Sequence, residues 1–153
     1  VIDTASNQVI ATLTVGLNPI GVATSPDSRR AYVTGVSSND VTVIDPANLS
    51  VVGTITVPSA YGVAVSRDSR FVYAGSVNAD NVSVIDAATL AVVATVPVGA
   101  RAAGIDVSAD GSEVYVVNLD GGTISRISTA THTVIGTINL SGGDPYAMGR
   151  FVS

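Results

Sequence analysis

The sequence has no cysteine, which excludes a disulfide framework and any thiolate metal centre. Lysine is absent as well, so all seven basic residues are arginine. Glutamate is nearly missing: eleven of the twelve acids are aspartate, and Glu113 stands alone. His132 is the only histidine. One imidazole without a partner supports neither a histidine metal site nor a Ser-His-Asp arrangement. Its setting, "TATHTV", reads as a solvent-exposed turn. No apolar run approaches the roughly 18 to 20 residues of a membrane helix, so no span is expected. A net charge of −5 weighs against binding nucleic acid through its phosphates.

What remains is 153 residues, the length of one ordinary domain, 46% hydrophobic and dominated by Val, Ile and Ala. The aspartates are scattered singly, which fits turn chemistry better than a calcium loop. No initiator Met or signal peptide precedes Val1, so a processed protein or a segment of a longer one is expected. Sequons at Asn48, Asn81 and Asn139 are close to the number that composition alone gives.

Repetition is the loudest signal. "VID" stands at 1–3, 43–45 and 84–86, with "RIS" in its place at 126–128, giving offsets of 42, 41 and 42. A second column keeps that period: "VIATLTV" from 9, "VVGTITV" from 51, "VVATVPV" from 92 and "VIGTINL" from 134. A third comprises "GVATSPDSRRAYVTG" from 21, "GVAVSRDSRFVYAGS" from 62 and "GIDVSADGSEVYVVN" from 104.

Each unit reads as four β-branched runs, a to d, separated by Gly, Asn, Asp, Ser and Pro. Asp27, Asp68 and Asp110 suit tight a–b turns. Asp3, Asp45 and Asp86 close strand c, where a carboxylate can accept the amides of the next turn; Ser128 would do so more weakly. Four antiparallel strands in about 42 residues predict a β-propeller blade, and therefore an all-β chain. Strand a is small and apolar, as crowding at a central channel requires. Strand d alternates Thr with Val or Ile, and Pro97 fits only such an outer edge. The expected layout is strands c and d of a split blade at 1–15, blades at 18–57, 60–98 and 102–140, and a closing inner strand at 145–152.

The b strands read "YVTG" at 32–35, "YAGS" at 73–76 and "YVVN" at 115–118, beside "SPDS" and "VID". This pattern resembles the YVTN-type β-propeller repeats, distant relatives of WD-repeat blades. The resemblance implies a bacterial or archaeal protein, secreted or at the cell surface, in a ring of usually seven blades. Related rings serve as surface-layer modules, lactonases and subunits of cofactor enzymes, so it leaves function open.

Departures from the repeat mark candidate sites. Where units one and two have Ala23, Tyr32, Val43 and Ala64, Tyr73, Val84, unit three has Asp106, Tyr115 and Arg126. If the hairpins keep register these three align across one blade face, as an Asp–Arg pair around a tyrosine or as a polar pocket for a ligand or subunit. The d–a loops carry Asn18, Tyr61, Arg101, Asp144 and Tyr146, which differ between units and gather on one face of a ring. No catalytic, cofactor or metal residues are assigned. "DGG" at 120–122 reads as a hairpin turn because no helix follows it.

The expected role is a non-enzymatic structural or interaction module that mediates protein-protein or surface assembly, extracellular or at the cell surface, with the periplasm as a further location. The alternative is an enzyme or enzyme subunit of the propeller lactonase or amine-dehydrogenase type. About 3.6 repeats are too few for the usual ring. Upstream blades, a protein partner or a second copy would complete it, with a closed four-bladed monomer as the other possibility.

Overall fold

A computed structural model describes residues 1–140 and 145. The expected closing strand at 145–152 lies outside the described residues except for Pro145, as do Asp144 and Tyr146. Among the described residues every regular element is a strand, so no helix is long and apolar enough to cross a membrane.

Three four-stranded antiparallel sheets form the body. Blade 1 holds β3 (Pro19–Thr24), β4 (Ala31–Gly35), β5 (Asp40–Asp45) and β6 (Ser50–Thr56). Blade 2 holds β7 (Ala60–Val65), β8 (Phe71–Ser76), β9 (Asn81–Asp86) and β10 (Val92–Pro97). Blade 3 holds β11 (Ala102–Val107), β12 (Glu113–Asn118), β13 (Thr123–Ser128) and β14 (Val134–Asn139). In each blade the strands pair in chain order, a to d. Pro97 ends β10, an outer strand with a neighbour on one side only.

Repeated side-chain bonds set the turns. Ser25 Oγ donates to Asp27 Oδ1 at 2.6 Å, and that oxygen also accepts the Arg29 amide at 3.0 Å. Ser66, Asp68 and Arg70 repeat the device, as do Ser108, Asp110 and Ser112. At the c–d turns Asp45 accepts the Ala47 amide at 2.9 Å and Asp86 accepts those of Ala88 and Thr89 at 3.0 and 2.8 Å. Ser128 takes the Thr131 amide at 3.4 Å, the longer bond of a neutral hydroxyl.

The inner strands stand side by side, β7 between β3 and β11. Their approach demands glycine: a Cβ on Gly62 would overlap the carbonyl oxygen of Ala103, and one on Gly21 would lie 2.6 Å from that of Tyr61. One apolar core fills the space between blades 1 and 2, built on Tyr32, Val43, Val63 and Val65; a second, on Tyr73, Val84, Ile105 and Val107, fills that between blades 2 and 3.

The split unit pairs only briefly. β1 (Ile2–Asp3) meets β2 (Gln8–Val9), with Ile2 opposite Val9. This matches Ile44 opposite Val51 in blade 1. The expected strand d runs on to Val15, but the pairing ends where Val1 bonds Ile10 and Ala11, and residues 12–15 are not strand.

Burial depends on whether a blade lies alongside. Val22, Val63 and Ile105 occupy one repeat position, at 70%, 9% and 4% exposure. Ile55, Val96 and Ile138 occupy another, at 5%, 4% and 42%. Both outer faces of the described array therefore present residues that are core residues where two blades meet.

Candidate functional site

The hairpin registers bring Asp106 opposite Tyr115, and Tyr115 opposite Arg126. The matching rows in blades 1 and 2 have the same pairing and are buried by the following blade. By repeat geometry, the polar row lies on the face of blade 3 turned away from blade 2.

The carboxylate gripping Arg126 is Glu113, which the sequence reading missed. Arg126 Nε donates to Glu113 Oε2 at 2.8 Å, and its second nitrogen donates to Oε1. The Arg126 hydrogen bond holds the Glu113 carboxyl below its ordinary range, with Tyr115 beside the pair adding to the effect. The same contact raises the Arg126 guanidinium further. Asp106, expected as the partner, is only 8% exposed, and its Oδ1 accepts the Val107 amide at 2.9 Å. Alternation gives the signal that would have found Glu113: it stands two residues before Tyr115 on the same strand, hence on the same face.

The d–a residues lie at the other end of the sheets. Asn18, Ser59 and Arg101 share one repeat position and the left-handed backbone conformation, with φ of 51°, 50° and 57°. Each reaches the b–c turn of its own blade. Asn18 donates to Ser37 at 2.7 Å, Ser59 accepts from Asn78 at 3.0 Å, and Arg101 pairs with Asp120 at 3.1 Å. The preceding blade holds the same loops, through Asn39 to the Ser59 amide at 2.7 Å and Asp80 to the Arg101 amide at 2.8 Å. Tyr61 is half-buried against the cluster of Val77, Ala103, Val117 and Leu119. Five residues of strand, roughly 16 Å, separate Arg101 from Asp106, so the two groups form no single site.

His132 departs from the reading of a solvent-exposed turn residue. Its ring meets Phe71 edge-on at 4.8 Å and Tyr73 at 6.2 Å, across the interface of blades 2 and 3. Its Nδ1 is buried without a hydrogen-bond partner. The repeat explains the placement, because His132 occupies the turn position of Leu90, which packs on blade 1. Among the described residues no group of three or more His, Cys, Asp or Glu side chains is placed to hold a metal ion.

Comparison with known proteins places this geometry. A YNCE-like beta-propeller family model matches residues 1–150. No curated protein matches. Chains of solved structures that are similar number 1103, too many for likeness alone to single out an activity. One is the hydrazine synthase of Kuenenia stuttgartiensis, with 27% identity and a TM-score of 0.82 over 90% of this chain and 40% of that one. Another is a functionally unknown protein from Desulfotomaculum acetoxidans, with 19% identity and a TM-score of 0.77 over 88% and 46%. This chain thus spans less than half the length of these two structures. It belongs to the YNCE-like beta-propeller family.

Proposed function

We propose that this YNCE-like propeller chain is a structural and interaction module whose outer blade faces are covered by further blades, a second copy or a protein partner. One observation carries the reading. Val22 and Ile138 are exposed at positions where Val63, Ile105, Ile55 and Val96 are buried against a neighbouring blade. Apolar surface left in water costs about 25 cal/mol per Å², which favours covering both faces. The row of Asp106, Tyr115 and Arg126, with Glu113, gives one face a polar complement that selects its cover. Tyr61 and Arg101 are candidates for a second surface, on the d–a side; Asp144 and Tyr146, expected there from the repeat, lie outside the described residues. A secreted or cell-surface location, as in the YVTN-type proteins, suits such a module. Val22→Asp and Ile138→Asp test the reading: each should lower the solution mass where a second copy or partner covers the face, or lower Tm where further blades do. An unchanged solution mass and an unchanged Tm in both would refute it.

A second reading, an enzyme or enzyme subunit, is favoured by the 27% identity with a chain of hydrazine synthase. Turnover of lactone substrates, or a stoichiometric metal in the purified protein, would establish that reading over the first.

A further inference from the structure

Six of the seven arginines lie among the described residues, and they divide into two groups. Arg67 donates to the carbonyls of Ser108 and Val107 at 3.1 and 3.3 Å, clamping blade 2 to blade 3. Arg101 pairs with Asp120, and Arg126 with Glu113. The other three, Arg29, Arg30 and Arg70, line one cleft between blades 1 and 2. Asp27 and Asp86 share that lining, so the three arginines leave it with a small excess of positive charge in a chain of net charge −5.

Within this cleft one oxygen of each carboxylate, Oδ1, is taken by turn donors, while two of the three guanidiniums make no side-chain hydrogen bond among the described residues. Asp27 already takes the Ser25 hydroxyl and the Arg29 amide. Asp86 takes two turn amides and the Thr89 hydroxyl. No carboxylate holds these arginines closely: Arg29 lies 4.0 Å from Asp27 and Arg30 lies 3.7 Å from Asp45, both beyond hydrogen-bond distance, and Arg30 gives one nitrogen to the Arg29 carbonyl at 2.8 Å. The Arg70 guanidinium stands over the Phe71 ring at 5.3 Å and has no carboxylate within 4.0 Å among the described residues. Tyr32, fully buried, lines the cleft from inside, and its hydroxyl has no partner. At the next interface Phe71 replaces Arg30, and the His132 ring packs against it.

We propose that the cleft between blades 1 and 2 binds an oxyanion, the carboxylate or phosphate group of a small polar ligand. Arg70 supplies a forked donor from one wall and Arg30 its remaining nitrogens from the other, Arg29 lies at the mouth, and the Tyr32 hydroxyl is a further donor. Guanidinium forks match paired oxygens in geometry, and charge-assisted bonds are the stronger kind.

Titration calorimetry with citrate and with inorganic phosphate, at ionic strength held constant with sodium chloride, tests the site. Saturable binding of at least one anion is expected, and which one binds separates the carboxylate source from the phosphate source. Arg70→Ala should raise Kd about tenfold, the loss of one charge-assisted contact. Arg29→Ala should raise it less; this side chain is 84% exposed, so the fold does not depend on it. Asp120→Asn, a single-charge change outside the cleft, should leave Kd unchanged. No saturable binding of either anion, or an unchanged Kd in Arg70→Ala, would overturn the proposal.

Discussion

Arg126 and Glu113 do not face each other directly across their strands; they meet on the diagonal. Tyr115 is opposite Arg126 and Ser128 is opposite Glu113, yet the guanidinium reaches two residues along β12 to fork onto the carboxylate. Long side chains span such diagonals in a sheet. The pair lies on the face of blade 3 where the earlier blades carry apolar residues.

Removing both partners should therefore cost less than the two single losses added together. Arg126→Met and Glu113→Gln are each expected to lower Tm at pH 7, and the double variant to lose less than the sum. Additive losses in thermal melts would show that the two side chains act independently.

Acid should weaken the turns before the cores. Serine hydroxyls and turn amides hold the Asp110 carboxyl down at about 2, with Ser108 first, against an ordinary 3.8. A carboxyl depressed in the folded state contributes stability above its unfolded value and loses it as pH falls through the folded one. Asp27 and Asp68 are lowered by the same bonds. Stability should therefore fall between about pH 4 and pH 2. Asp110→Ala should flatten that fall; an unchanged acid profile in the variant would contradict the assignment.

Gly62→Ala is expected to destabilise by about 1 to 3 kcal/mol or more, because the obstruction is the backbone carbonyl of Ala103. Gly53→Ala meets a flexible Leu90 side chain at 2.9 Å and should lose less. Chemical denaturation of the two variants gives the order.

His132→Leu should raise stability by about 1 kcal/mol. It removes a buried nitrogen without a partner and restores the residue that the repeat has at Leu49 and Leu90, where leucine adopts the same backbone with φ of 49° and 59°. A lower Tm would mean that the contacts with Phe71 and Tyr73 outweigh the unsatisfied nitrogen.

The blades were legible in the sequence because their determinants are local. The 41- to 42-residue period, the Ser-x-Asp turns and the alternation of Val and Ile fix strand order and register. Contacts between blades were not legible. Within blade 3, alternation puts Glu113 on the face of Arg126, but the reach along the diagonal depends on how the long side chain lies in the folded sheet. His132 looks like a turn residue until its turn is seen resting on Phe71, some 60 positions earlier. The cleft of Arg29, Arg30 and Arg70 is likewise assembled from turns that only packing brings together.

The central claim is that these blade faces are interfaces. The solution mass of the 153-residue chain by light scattering tests it most directly. The account predicts an assembly heavier than the 15.3 kDa of one chain. A stable 15.3 kDa monomer that binds no apolar dye would contradict it.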